Sequence, residues 1–204
     1  MRHDEPMTDL TDRGRNREAV AGSGGPATGG TRLDAPVLVA RLLALLDSAA
    51  HLAGQVPAAA LSQELPRRGR TTIELAYHVP QVVVAFLDAA LGGRLTLQHF
   101  ERKPPGHFQA AADVARLTRS VSQALAVWWG ANQSRLPAML DTDDGLRSLP
   151  AVLEQTTAHV AQHVRQLEQL LVLRGLEPDR RLPRELLAGL PLPEDIWDAE
   201  VPLT

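Results

Sequence analysis

Four stretches of this chain repeat Leu, Val and Ala at intervals of three and four residues, and each is fenced by proline or glycine. That spacing puts the apolar side chains on one stripe of a 3.6-residue helix, and such a stripe must be buried against a neighbour. The first stretch runs from about Asp34 to Ala53, with Asp34 as candidate N-cap, Pro36 in the first turn and Leu38, Leu42, Leu45, Leu46 and Ala49 on the stripe. The second opens at Thr71, where Thr71-Thr72-Ile73-Glu74 fits a capping box, and reaches about Leu91 before Gly92-Gly93 stops it. The third covers about Ala110 to Gln133, with Val114, Leu117, Val121, Leu125 and Trp128 on one face. The fourth covers about Leu149 to Arg174 and ends at Gly175, placed for the left-handed residue that follows a helix. Apolar content that is mostly Ala, Leu and Val, with only 3% aromatic residues, favours helices over sheets. The expected fold class is all-α, a four-helix bundle.

The flanks read differently. Residues 1–32 are charged and then Gly-rich, a composition that buries too little apolar surface to offset the entropy of ordering, so a disordered tail is expected there. Gly54 to Arg70 reads as a loop with room for one helical turn at Ala58 to Leu61, and a linker with Pro104, Pro105 and Gly106 precedes the third helix. Residues 176–204 are rich in Pro but also carry Leu186, Leu187, Leu190, Ile196 and Trp197. That is too apolar for a free tail, so the segment is expected to wrap over the bundle of residues 33–175, with a short helix near Pro183 to Ala188.

Composition excludes several function classes. A net charge of −3 and a pI near 6.2 leave no basic footprint for nucleic acid. No cysteine is present, so there is no disulfide and no side-chain thiolate; sulfur chemistry would need a thiol supplied by a small molecule. The N-terminus lacks an apolar leader segment, and no unbroken run approaches the roughly 18 apolar residues of a membrane span. The expected compartment is the cytoplasm, with no membrane partner.

Three histidines carry the chemistry. His159 and His163 lie about 40° apart on the fourth helix, one turn above the other, beside an apolar stripe of Val152, Thr156, Leu167 and Leu170. His78 shares its face of the second helix with Leu75, Val82, Ala85 and Ala89. Two imidazoles at i and i+4 grip one ion from a single helix, and a third from a facing helix leaves coordination positions open to water or substrate. The alternative is three core histidines hydrogen-bonded to carbonyls, at a desolvation cost for each ring.

The segment Thr71-Ile73-Glu74-Leu75-Ala76-Tyr77-His78, followed some eighty residues later by Thr157-Ala158-His159-Val160-Ala161-Gln162-His163-Val164-Arg165-Gln166, resembles the DinB/YfiT-like superfamily of four-helix metalloproteins. The resemblance covers about residues 34 to 175. It implies an up-down-down-up or similar bundle, possession of a divalent metal on His78, His159 and His163, and dimers formed through helix faces. Ala85-Phe86-Leu87-Asp88 and Gly189-Leu190-Pro191-Leu192-Pro193-Glu194-Asp195-Ile196-Trp197 look like a bacterial subgroup of it. Members include S-transferases that use bacillithiol, mycothiol or glutathione, and a thiol-dependent isomerase. Pro80, two residues past His78, departs from a regular helix and raises two readings, a tolerated kink or a kink that re-aims His78.

Other residues carry weaker readings. Glu74, one turn before His78, is either a capping-box residue or a general base beside the metal. Gln162 and Gln166 flank the histidines and could orient them, yet read equally as a half-exposed face. Arg165 reads as facing solvent or a subunit, His99 and His107 as linker histidines, and His51 as a core-edge residue. Of Trp128 and Trp129, one is expected in the core. The expected function is a metal-dependent enzyme that uses a low-molecular-weight thiol on a small electrophilic substrate. Alternatives are hydrolysis or isomerisation at the same site, or a bundle that binds a small molecule or partner without catalysis. Three imidazoles suit Zn, Ni, Fe, Co or Mn.

Overall fold

The structure is a computed structural model that describes residues 33–66 and 68–197, with Arg68 by its backbone alone; the tail expected at residues 1–32 lies outside the described residues. Among the described residues six α-helices and five short strands follow one another: α1 (Ala35–Gly54), α2 (Ala58–Leu61), β1 (Glu64–Leu65), β2 (Arg68–Thr71), α3 (Thr72–Ala90), β3 (Arg94–Leu95), α4 (Leu97–Phe100), α5 (Ala111–Asn132), β4 (Met139–Thr142), β5 (Gly145–Ser148) and α6 (Leu149–Leu173). A 3-10 turn, Arg184–Leu186, stands where a short helix was expected.

Each long helix begins and ends for a local reason. α3 starts in a full capping box: the Thr71 hydroxyl accepts the Glu74 N–H, and the Glu74 carboxylate accepts the Thr71 N–H at 2.8 Å. It stops in a Schellman motif, with Gly93 N–H bonded to Asp88 O at 2.9 Å and Gly92 at φ 97°. α6 stops the same way, with Leu176 N–H on Leu171 O at 2.9 Å and Gly175 at φ 72°. Asp34 occupies the N-cap position of α1, but its side chain makes no capping bond; Pro36 near the helix start removes a donor that would lack a partner anyway. Pro80 sits inside α3 without interrupting it.

The four long helices share one core. α1 and α3 each lie against both α5 and α6. Leu38, Leu42, Leu45 and Leu46 of α1 are fully buried, as are Phe86 of α3 and Leu125 of α5, and Phe86 meets Trp128 edge-on at 5.3 Å. Trp129 is only partly buried. By length and mean hydropathy, 1.5 and 1.2, α1 and α3 are apolar enough to cross a membrane. The sequence reading missed this because it sought an unbroken apolar run, whereas a window mean tolerates isolated polar residues. Here 56% and 72% of those windows are buried inside the protein.

The strands correct the expectation of helices joined by plain loops. β1 and β2 form an antiparallel hairpin immediately before α3. β4 pairs in parallel with β3 and antiparallel with β5, giving the order β3-β4-β5. This small sheet ties the end of α3 to the start of α6, the two helices that carry the histidines. After α6 the chain returns across the helices, burying Leu182 and Leu190 in the core cluster.

Candidate metal centre

α3 and α6 are packed neighbours, and their apolar stripes face each other. His78 therefore enters the interior from α3, and His159 and His163 enter it from α6. His163 is fully buried, His78 is 2% exposed, and His159 is partly buried at the rim. The rings meet with centroids 5.3 Å apart for His78 and His159, 4.7 Å for His78 and His163, and 4.8 Å for His159 and His163. One ring nitrogen of each lies within 4.8 Å of the others. Among the described residues this is the one group of three His, Asp or Glu placed to hold a metal ion.

Three imidazoles lie close enough to hold one ion, and one pair already stands at a bonding separation. Nε2 of His78 and Nε2 of His159 are 3.2 Å apart. Two nitrogens bound to one ion at about 2.0–2.1 Å stand roughly 2.8 to 3.4 Å apart at octahedral or tetrahedral angles. His163 Nδ1 donates to Gln166 Oε1 at 2.8 Å, which directs its Nε2 toward the other two rings as a metal-binding imidazole requires.

A residue that sequence reasoning passed over closes one side. Phe100, at the end of the single-turn helix α4, stacks on His159 with centroids 5.5 Å apart and a 27° tilt, and lies 6.1 Å from His78. Phe100 also lines a cavity of about 260 Å³ with Arg70, Glu74, His78 and Lys103, which gives the centre an approach from outside. A lone phenylalanine in a linker gives no periodic signal, so only tertiary structure could reveal it.

Glu74 lines that cavity, one turn from His78. Its Oε2 accepts from Thr71 N–H at 2.8 Å and from the Thr71 hydroxyl at 3.1 Å, and Oε1 lies 3.4 Å from Lys103 Nζ. The Thr71 backbone N–H, aided by the Thr71 hydroxyl and Lys103, holds its pKa below the usual glutamate range despite desolvation.

One reading of α6 needs correction. Gln162 and Gln166 do not form a half-exposed face; they are 3% and 0% exposed. Both side-chain amides donate to the carbonyl of Ile196, at 2.7 and 2.8 Å. Arg165, partly buried and away from the histidines, donates to Gln162 Oε1 at 2.9 Å and to Pro193 O at 3.1 Å. The C-terminal segment covers this side of the helix. Among the described residues, the other three histidines stand apart from the centre. His51 pairs with Asp179, His99 binds Thr96 and lies 3.1 Å from Asp88, and exposed His107 packs on Phe108.

A helix-rich fold in which imidazoles from two packed helices converge on one point defines a candidate histidine-liganded metal protein. No family model, curated protein or solved structure matches the chain.

Proposed function

We propose that this chain is a metal-dependent enzyme of the DinB/YfiT-like kind, a four-helix bundle that holds one divalent ion on His78, His159 and His163 and uses a low-molecular-weight thiol on a small electrophilic substrate. The observation that carries the reading is the convergence of one nitrogen from each of three imidazoles, contributed by two helices, within 4.8 Å. When bound, the cation would favour the thiolate over the thiol near neutral pH.

The protein's own groups supply the rest. Three protein ligands leave positions for an incoming group, as open sites do. The cavity of about 260 Å³ beside His78 gives that group a way in, and Phe100 shields two of the rings from water. With no cysteine in the chain, a sulfur nucleophile has to come from outside. Glu74, a carboxylate on the cavity wall, is the candidate proton acceptor, although the bonds that lower its pKa make it a weaker base than a free glutamate. The cytoplasm, where low-molecular-weight thiols are kept reduced, suits this reading.

Metal analysis of the purified protein tests it. Near-stoichiometric divalent metal, lost on His159→Ala, is the expected result. The metal-loaded protein should then gain thermal stability with glutathione, mycothiol or bacillithiol, and His159→Ala should not. A chain that takes up no metal from zinc, nickel, iron, cobalt or manganese would overturn the proposal. Metal without any response to thiols would leave hydrolysis or isomerisation as the reaction class.

A further inference from the structure

The hydrogen bonds behind His163 form a chain whose every orientation is fixed by a group that can act in only one way. A backbone carbonyl only accepts and a guanidinium only donates. Arg165 donates to Gln162, so the oxygen of that amide faces Arg165 and its nitrogen faces Ile196. Gln166 also points its nitrogen at the Ile196 carbonyl, so its oxygen must face His163. An oxygen there accepts, and His163 Nδ1 must carry the proton. The lone pair then sits on Nε2, the nitrogen directed at His78 and His159.

The Ile196 carbonyl is itself held in place. The peptide unit that it belongs to presents its N–H, that of Trp197, to Asp195 Oδ1 at 2.9 Å. In a trans peptide the carbonyl points the opposite way, here toward α6. Pro193, three residues earlier, is fastened to Arg165. Thus a segment beyond the helices dictates the proton position on an imidazole that is fully buried.

From this geometry we infer that docking of the C-terminal segment selects the tautomer of His163, and thereby sets the affinity of the three-histidine centre; the second half rests on the metal-binding reading above. With Ile196 withdrawn, the Gln166 amide is free to turn over and donate to Nδ1. That stabilises the tautomer protonated on Nε2, which offers no lone pair to an ion. Gln166 is then a positioning residue, and the segment from Pro193 to Trp197 is a built-in control on the site. By linkage, an ion bound at the centre tightens the docking of the segment in return.

The test begins with the metal-free protein, where ¹⁵N shifts of His163 report its tautomer directly. The full chain should show the proton on Nδ1, and a chain ended after Leu192 should show a mixture. Gln166→Glu supplies an acceptor that needs no orienting, so in that background the shortened chain should again show Nδ1–H. Zinc titration against a competing chelator should follow the same order. Shortening should cost about 10- to 100-fold in affinity, the range typical of groups that orient ligands, and should cost nothing further in Gln166→Glu. Circular dichroism checks that the shortened chain folds; Asp195→Ala in the full chain loosens the same carbonyl and is read the same way should it not. An unchanged tautomer and unchanged affinity in both variants would overturn the inference and leave the metal site standing. A tautomer that shifts in a protein that never binds zinc would instead remove the metal reading, together with the half of the inference built on it.

Discussion

Nε2 of His78 lies 3.2 Å from Nε2 of His159, close enough for one ring to donate a proton to the other. An ion that takes both lone pairs requires that proton to move to the far nitrogen of its own ring, so binding selects one tautomer of each imidazole. It also binds only the folded chain, because α3 and α6 must be packed for the two rings to meet. Zinc at about 100 times its dissociation constant should therefore add about 2.7 kcal/mol to unfolding. For a domain of this size that corresponds to a rise of roughly 5–10 °C in Tm. Calorimetry with zinc and with excess chelator measures it, and His78→Ala should abolish the difference between the two scans.

Phe100 is a core residue placed on a single helical turn, 8% exposed and stacked on His159. Removing its ring deletes buried area and leaves a void beside two imidazoles. We expect Phe100→Ala to cost about 3–4 kcal/mol, the lower part of the usual phenylalanine range, because α4 has freedom to close the gap. Metal should also leave faster, since water then reaches His78 and His159. Urea unfolding and the rate of zinc transfer to a chelator report the two effects separately. Phe100→Leu should recover most of the first.

Gly175 offers a purely backbone effect. Its φ is 72°, and a Cβ built there meets no atom within 4 Å. Steric crowding with neighbours is therefore absent, and Gly175→Ala should cost about 1 kcal/mol from the left-handed conformation alone. Zinc affinity should stay within twofold of the parent protein. A cost near zero in urea unfolding would mean that the turn after α6 relaxes without the Schellman bonds.

Features written in short-range chemistry were legible in the sequence. The capping box at Thr71, the paired glycines after Leu91 and Gly175 after Arg174 place helix ends within a residue or so, because caps and positive-φ positions are local demands. The inward aim of His78 and His163 follows from helical period alone. Tertiary partners made the rest invisible. Arg94-Leu95 becomes a strand only because Asp141-Thr142 lies beside it, more than forty residues away. The β4-β5 hairpin did leave a local mark, Asp144-Gly145 between extended residues, which the helical pattern overshadowed. Gln162 and Gln166 were misread for a related reason: a helical wheel shows a polar face, but not that residues 193–197 return to cover it.

Glu74 separates a structural from a catalytic assignment. As a helix cap it satisfies the Thr71 N–H, and loss of that bond in Glu74→Ala should cost about 1 kcal/mol with zinc content unchanged. Its lowered pKa adds a pH signature. The folded chain holds the carboxylate more tightly ionised than the unfolded chain does, so the contribution is complete above the ordinary glutamate pKa of about 4.3 and is lost as pH falls through the lower folded value. The parent and Glu74→Gln proteins should thus differ in urea midpoint near pH 7 and converge toward acid. Lys103→Ala should move the midpoint little, because that ammonium is 83% exposed and screened by water. If Glu74 also accepts a proton during turnover, Glu74→Gln should abolish turnover in a folded, zinc-loaded protein, whereas Thr71→Ala, which weakens the same cap, should leave it intact.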